Sequence, residues 1–251
     1  MKGSGHARPA PSALEDVAAR RGIELLAARY KLDGRQRAQF ETILLALADD
    51  ERAPTAVRDP ARAVDVHLAD SLAALEVDAV RGSHTIADVG AGAGFPGLAL
   101  AVALPEASVS LVESQARKCR FAEVVRAGAG IDNAHVVRAR AEEWELGRGA
   151  NDAVLARALA EPAVVLEYAA PLLRIGGSLV EWRGRREAAE ERRAAAAAEV
   201  LDMELVEVRR VEPYAGAHDR HLHVYAKTNS TPDGFPRRAG MARKRPLGRG
   251  V

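Results

Sequence analysis

Cysteine is almost absent from this chain. Cys119 stands alone among 251 residues, which excludes an intramolecular disulfide and points to a reducing compartment. No apolar run approaches the length of a bilayer crossing, and residues 1–12 lack the apolar centre of a secretory signal. Net charge is only +1, so any affinity for nucleic acid has to come from local clustering of basic residues. No internal repeat is visible. These absences read as a cytoplasmic protein with no membrane partner. What remains is ordinary globular composition, 48% hydrophobic and 28% charged. The length suits one large α/β domain or two small ones.

Four regions follow from the pattern along the chain. Residues 1–11 are polar and rich in glycine and proline, and read as a disordered N-terminus. Residues 12–80 read as a helical region. Ser12-Ala13-Leu14-Glu15 matches a capping box, opening a helix expected to break near Gly22 and resume at Ile23. Phe40, Ile43, Leu44 and Leu47 form one apolar stripe at helical spacing. Asp59-Pro60 supplies an N-cap with proline at the first helical position, and Val64, Leu68, Leu72 and Leu75 are that helix's buried face. His67 and Asp70 sit three apart on the same helix, a spacing that suits either docking of the helix or direct catalysis.

Residues 81–228 alternate. Strands are expected at 85–89, 108–113, 135–137, 151–155 and 178–182, with helices at 96–104, 115–127, 162–173 and 187–200. This is the rhythm of a parallel sheet covered by helices on both faces. Segments 204–210 and 221–227 then read as an antiparallel pair around Pro213-Tyr214-Ala215-Gly216. A sheet of about seven strands ending in such a hairpin departs from the all-parallel dinucleotide fold. Residues 229–251 form a basic tail with Arg237, Arg238, Arg243, Lys244, Arg245 and Arg249 against one acid, Asp233. Such a cluster suits phosphate contact and salt-dependent binding.

The run Asp88-Val89-Gly90-Ala91-Gly92-Ala93-Gly94-Phe95-Pro96-Gly97 follows the first strand directly. Glycines at this turn let the backbone adopt positive φ and approach a ligand closely. Two parses are open. Gly92-x-Gly94-x-x-Gly97 matches the dinucleotide fingerprint, which with Glu113 would suit an NAD-dependent oxidoreductase. Asp88-x-Gly90-x-Gly92-x-Gly94 matches the loop of S-adenosyl-L-methionine (SAM) methyltransferases, and Gly90 alone begins the turn at the strand end. Glu113, ending the second strand, is placed to hydrogen-bond ribose under either parse. Arg140-Ala141-Glu142-Glu143 follows the third strand, at the corner that lies beside adenine in methyltransferases.

The fourth strand, Ala153 to Leu159, lacks the Asn/Asp-Pro-Pro-aromatic run used on exocyclic amines. Pyrimidine C5 methylation needs a thiolate, and Cys119 lies on another element. Arg157 remains, a fixed cation suited to the methionine carboxylate of SAM or to a substrate phosphate. An acceptor with a free lone pair, such as guanine N7, needs no strong base. Transfer to it would rest on proximity and alignment.

With these residues assembled, the chain resembles the bacterial small-subunit rRNA guanine-N7 methyltransferase family, RsmG or GidB. The resemblance runs from Thr55 to Leu247. Thr55-Ala56-Val57-Arg58-Asp59-Pro60 with His67-Leu68-Ala69-Asp70-Ser71-Leu72 is similar to one signature. The glycine run with its Pro96-Gly97 is similar to the family's cofactor loop, and Phe235-Pro236-Arg237-Arg238-Ala239-Gly240 with Lys244-Arg245-Pro246-Leu247 to its C-terminal motif. The resemblance implies a Rossmann-like class I SAM-dependent methyltransferase with added N-terminal helices. It also implies N7-methylation of one guanine in the decoding region of 16S rRNA, within a small-subunit particle, with S-adenosyl-L-homocysteine as co-product. Neither a metal nor an obligate protein partner is expected. Gly90, Phe95, Ala141, Glu142 and Arg157 carry over as cofactor contacts, to which the strand-end reading adds Asp88, Gly92, Gly94 and Glu113. Arg157 and His67 are the candidate catalytic residues. A non-catalytic RNA-binding protein retaining the fold is the remaining alternative.

Overall fold

In the computed structural model, which describes residues 15–248, the molecule is built on a seven-stranded sheet. Its strands are β1 (Thr85–Val89), β2 (Ser108–Glu113), β3 (Ala134–Arg138), β4 (Asn151–Arg157), β5 (Leu173–Arg183), β6 (Met203–Arg210) and β7 (His221–Lys227). They lie in the order β3-β2-β1-β4-β5-β7-β6. β1 to β5 are parallel, while β7 enters antiparallel between β5 and β6. The order turns back between β1 and β4, the switch point above which α/β sheets bind ligands.

Side chains alternate across the strands, and the two apolar layers follow from that period of two. Ile86, Val109, Leu111, Ala153 and Leu155 face one layer, and Ala87, Val89, Val154 and Ala156 the other. The first layer is covered by helices α1 (Val17–Tyr30) and α2 (Gly34–Asp49), by a composite helix α3 over residues 60–76, and by α5 (Gly97–Ala103) and α6 (Ala116–Gly128). A single turn, α4 (Asp78–Arg81), leads into β1. The second layer is covered by α7 (Pro162–Ala169) and α8 (Ala188–Val200). The short α9 (Met241–Lys244) closes the described chain, and its Ala242 is buried in this layer.

The apolar stripe of α2 is buried as its spacing demands: Phe40, Ile43, Leu44 and Leu47 are each 0% exposed. Burial of this kind contributes roughly 1.5–3 kcal/mol per side chain. Asp59 caps α3 by accepting from the Arg62 amide at 2.8 Å. The helix then leaves ideal geometry. A π turn spans Val64–Ala69, followed by Asp70–Leu72 and a 3₁₀ turn at Ala73–Glu76. Such π turns recur at functional sites, and this one carries His67.

Two local expectations differ from the structure. The first helix does not break at Gly22. It runs unbroken from its N-cap Asp16, whose side chain accepts from the Ala19 amide at 2.8 Å. Gly22 marks a close helix approach instead, since a Cβ there would sit 2.8 Å from Val64 Cγ1. Ser12 and the segment 1–11 lie outside the described residues. The second difference is that the helix before β5 ends at Ala169, because Leu173 already pairs with Asn151. The register then jumps to Ser178 opposite Ala153, and Arg174, Ile175 and Gly176 loop out to solvent.

The chain beyond β7 returns over α7. Arg237 forms a two-pronged ion pair with the fully buried Glu167, with Nε donating to Oε1 at 2.7 Å and Nη2 to Oε2. Phe235 and Leu247 pack on the same apolar layer.

Replacing Gly22 by leucine would drive a side chain into Val64 at the α1–α3 contact. A loss of about 1–3 kcal/mol is expected, as for overpacked cores, read as a shift in the urea midpoint at unchanged slope.

Candidate functional site

The C-terminal ends of the parallel strands open into two clefts that meet at Ala158, immediately after β4. Ala158 has φ +52°, a left-handed conformation that strains a residue with a Cβ by roughly 1–2 kcal/mol. Strain of this kind persists where the surroundings over-determine it, and here it sits between the two openings.

The first cleft has a volume of about 240 Å³. Its floor comes from the turn after β1, where Gly90 takes φ +74° and a Cβ would lie 2.5 Å from Leu159 Cδ1. Only glycine fits there. Glu113, Ala141 and Glu142 line the same space, with Lys118, Arg140, Tyr168 and Arg243. Glu113 is 7% exposed, and its carboxylate accepts from the Gln115 amide at 2.8 Å and the Gly92 amide at 3.2 Å. One acid thus ties the glycine turn to the end of β2 while lining the cleft. Cys119, buried nearby, donates its thiol to the Glu113 carbonyl.

Asp88, Gly92 and Gly94 stand behind this wall rather than in it. Asp88 is 1% exposed and accepts from the Gly97 amide at 2.7 Å, fastening the start of α5 to β1. Burial pushes its pKa up to about 7 against the opposing pull of the Gly97 amide and Arg157. A Cβ on Gly97 would meet Leu111 and that carboxylate at 2.2 and 2.8 Å, and one on Gly94 would meet Leu98 at 2.3 Å. Gly94 and Gly97 are therefore packing glycines. In the dinucleotide parse Gly94 is the glycine of close ligand approach, and here it packs on Leu98 instead, which counts against that parse.

The second cleft has a volume of about 520 Å³ and is lined by Val66, His67, Asp70, Arg157, Trp182 and Arg220 among others. Arg157 reaches from β4 to α3, and its Nη1 donates to the Val66 carbonyl at 3.0 Å and to Asp70 Oδ2 at 2.9 Å. Trp182 Nε1, on β5, donates to the Asp70 carbonyl at 2.9 Å. Asp70 Oδ1 is buried without a hydrogen-bond partner among the described residues, and Arg220 Nε lies 3.7 Å away. Phe95 is buried, 5% exposed, behind this cleft and lines neither opening. It stacks on His67 with ring centroids 4.8 Å apart and lies 6.0 Å from the Arg157 guanidinium.

His67 Nε2 shares a 2.9 Å hydrogen bond with Thr55 Oγ1, whose oxygen also accepts from the Val57 amide at 3.1 Å. Burial lowers the His67 pKa to about 4, with the Arg157 cation acting in the same direction. The imidazole is neutral at pH 7, stacked and engaged, and serves the cleft as a wall.

The sequence-derived residues thus fall into three groups. Gly90, Glu113, Ala141 and Glu142 converge on the first cleft; His67 and Arg157 line the second, with Phe95 buried against His67; Asp88, Gly92 and Gly94 support the turn between. Tyr168 and Trp182 have no sign in the sequence because each reaches its cleft from an element whose pattern signals only packing, and Arg220 has none because it lies in the loop before β7. Arg237 was expected among phosphate contacts, yet its guanidinium is committed to Glu167.

The His67 pKa sets a pH test. Its folded-state value lies below the ordinary 6.5, so its contribution to stability is intact above pH 6.5 and erodes as pH falls toward 4. In His67→Phe, which keeps a ring against Phe95, that part of the acid destabilisation should vanish. Urea midpoints from pH 7 to 4.5 should fall less steeply for the variant than for the parent.

With the geometry in hand, known proteins supply the comparison. Curated relatives named ribosomal RNA small subunit methyltransferase G include one from Syntrophomonas wolfei, 40% identical over 187 residues, covering 73% of this chain and 86% of the relative. Another, from Rubrobacter xylanophilus, is 37% identical over 224 residues and covers 86% of each chain. Among solved structures, a predicted O-methyltransferase from Agrobacterium tumefaciens superposes with a TM-score of 0.50 at 24% identity, covering 64% of this chain and 81% of that one. The 1,6-didemethyltoxoflavin-N1-methyltransferase of Burkholderia thailandensis matches with a TM-score of 0.50 at 15% identity, covering 65% and 80%. These two share the class I SAM-dependent methyltransferase fold with this chain. SAM is the cofactor, and an NAD-dependent oxidoreductase is not favoured. The model of the family described as rRNA small subunit methyltransferase G matches residues 37–222, and to that family this chain belongs.

Proposed function

We propose that this protein transfers a methyl group from SAM to N7 of one guanine in the decoding region of 16S rRNA, acting on a small-subunit particle in the cytoplasm. The observation that carries this reading is the meeting of two clefts at Ala158, one built for a nucleoside and the other large and rimmed with cations. Family membership supports the RNA; the chemistry of the second cleft supports the acceptor.

The first cleft fits the cofactor. Gly90 keeps the floor free of a side chain, Glu113 offers a carboxylate to ribose hydroxyls, and Ala141 and Glu142 offer a backbone amide and a carboxylate to an adenine edge. When bound there, SAM supplies an electrophilic methyl group on a sulfonium.

The second cleft needs no base. Guanine N7 carries a free lone pair, and no proton has to leave before it attacks. His67, neutral and bonded to Thr55, matches that requirement. Arg157 is held in place by two acceptors, so its charge is preorganised at the junction of the clefts. The buried Phe95 stacks on His67 and holds the ring that lines this cleft. Catalysis on this account comes from holding the acceptor in line with the methyl group, and misplacement by about 1 Å costs on the order of 100-fold.

Labelled SAM incubated with small-subunit particles, and with naked 16S rRNA, from cells lacking the enzyme should place N7-methylguanine at a single site. Absence of transfer to either substrate would overturn the proposal. Single-turnover transfer would also dispose of a non-catalytic RNA-binding role. Arg157→Ala should lower the rate by about 100-fold, given that scale of positional sensitivity.

A further inference from the structure

Of the described residues that line the cofactor cleft, only Arg243 comes from beyond β7. Its Nη2 donates to the Leu159 carbonyl at 2.7 Å, a bond that brings the guanidinium to the mouth of the cleft beside Ala158 and Leu159. The segment bearing it is firmly seated. Arg237 grips the buried Glu167 with two nitrogens and turns its Nη2 to the Arg245 carbonyl at 2.9 Å, closing the loop that carries α9. Ala242, within that loop, is 1% exposed.

A second bond joins this segment to the cleft. The Gly240 amide donates to Glu142 Oε1 at 2.9 Å, and Glu142 is itself a lining residue, 8% exposed. One carboxylate oxygen is thus fixed by the tail. The second oxygen is an acceptor for an exocyclic amine such as that of adenine. A guanidinium at the same opening has a flat face for stacking on a purine and further N–H groups for ring nitrogens.

We infer that residues 229–248 form a wall of the SAM cleft, with Arg243 contacting the nucleoside of the cofactor and Gly240 orienting Glu142 toward it. The inference rests on the proposed use of the first cleft. It makes tail docking and cofactor binding reciprocal: whatever the docked tail adds to cofactor affinity, the cofactor adds to tail docking.

Titration calorimetry with S-adenosyl-L-homocysteine on the full chain tests this. Arg243→Ala should raise the Kd about tenfold, the scale of one charge-assisted contact. Arg237→Ala, which frees the tail without touching the cleft, should raise it as well. 5′-Methylthioadenosine lacks the amino-acid end and should lose the same factor in Arg243→Ala, which places Arg243 at the nucleoside. Trypsin, which has sites at Arg238, Arg243 and Lys244, should cut the parent's tail more slowly when S-adenosyl-L-homocysteine is present. Unchanged Kd values in both variants, or no protection of the tail, would overturn the inference while leaving the methyltransferase reading intact. A parent that fails to bind S-adenosyl-L-homocysteine would instead overturn the reading of the cleft.

Discussion

Arg157 couples the two halves of this molecule through one nitrogen. Its Nη1 meets the Val66 carbonyl and the Asp70 carboxylate, both on α3, while its backbone belongs to the end of β4. A guanidinium only 17% exposed in its side chain is expensive to leave without partners. The N-terminal helices are therefore pinned to the strand ends where the two clefts meet. His67, Phe95 and Trp182 take their positions from that contact: His67 lies on the pinned helix, Phe95 beneath the guanidinium, and Trp182 on the Asp70 carbonyl.

The geometry of α3 fits this role. A regular helix through residues 60–76 would carry one continuous stripe, with Val64, Leu68 and Leu72 inward. The π turn at Val64–Ala69 keeps those residues buried while His67 and Asp70 line the second cleft. The glycine turn is arranged on the same economy. Gly90 touches the ligand space, Gly92 hands its amide to Glu113, and Gly94 and Gly97 make room for Leu98 and Leu111. A dense glycine run is thus one residue of binding surface and several of close packing.

Charge in the tail is divided in a similar way. Arg237 is spent on Glu167 inside the fold and Arg243 on the Leu159 carbonyl, while Arg238, Lys244 and Arg245 keep side chains at the surface. The tail's composition suggests a single electrostatic purpose. Its contacts separate anchoring from display, because a buried carboxylate such as Glu167 requires a fixed cation.

Much of the architecture was legible along the chain. β1, β2 and β7 have the bounds their apolar runs predict, and the antiparallel hairpin was announced by its turn residues, because strand period and turn chemistry are local properties. The strand-end places of Gly90 and Glu113 follow from the same local rules. Other features had no local sign. Gly22 reads as a helix breaker until Val64 is found against it, and Leu173 reads as helical until Asn151 pairs with it. That Phe95 stacks on His67, that Asp88 faces the Gly97 amide, and that Arg243 returns to Glu142's cleft depend on contacts formed only in the folded chain. The sequence by itself determined the kind of fold and the strand ends that line the first cleft. Only the tertiary structure decided which side chains share a cavity, since side-chain partnership is set by packing across layers.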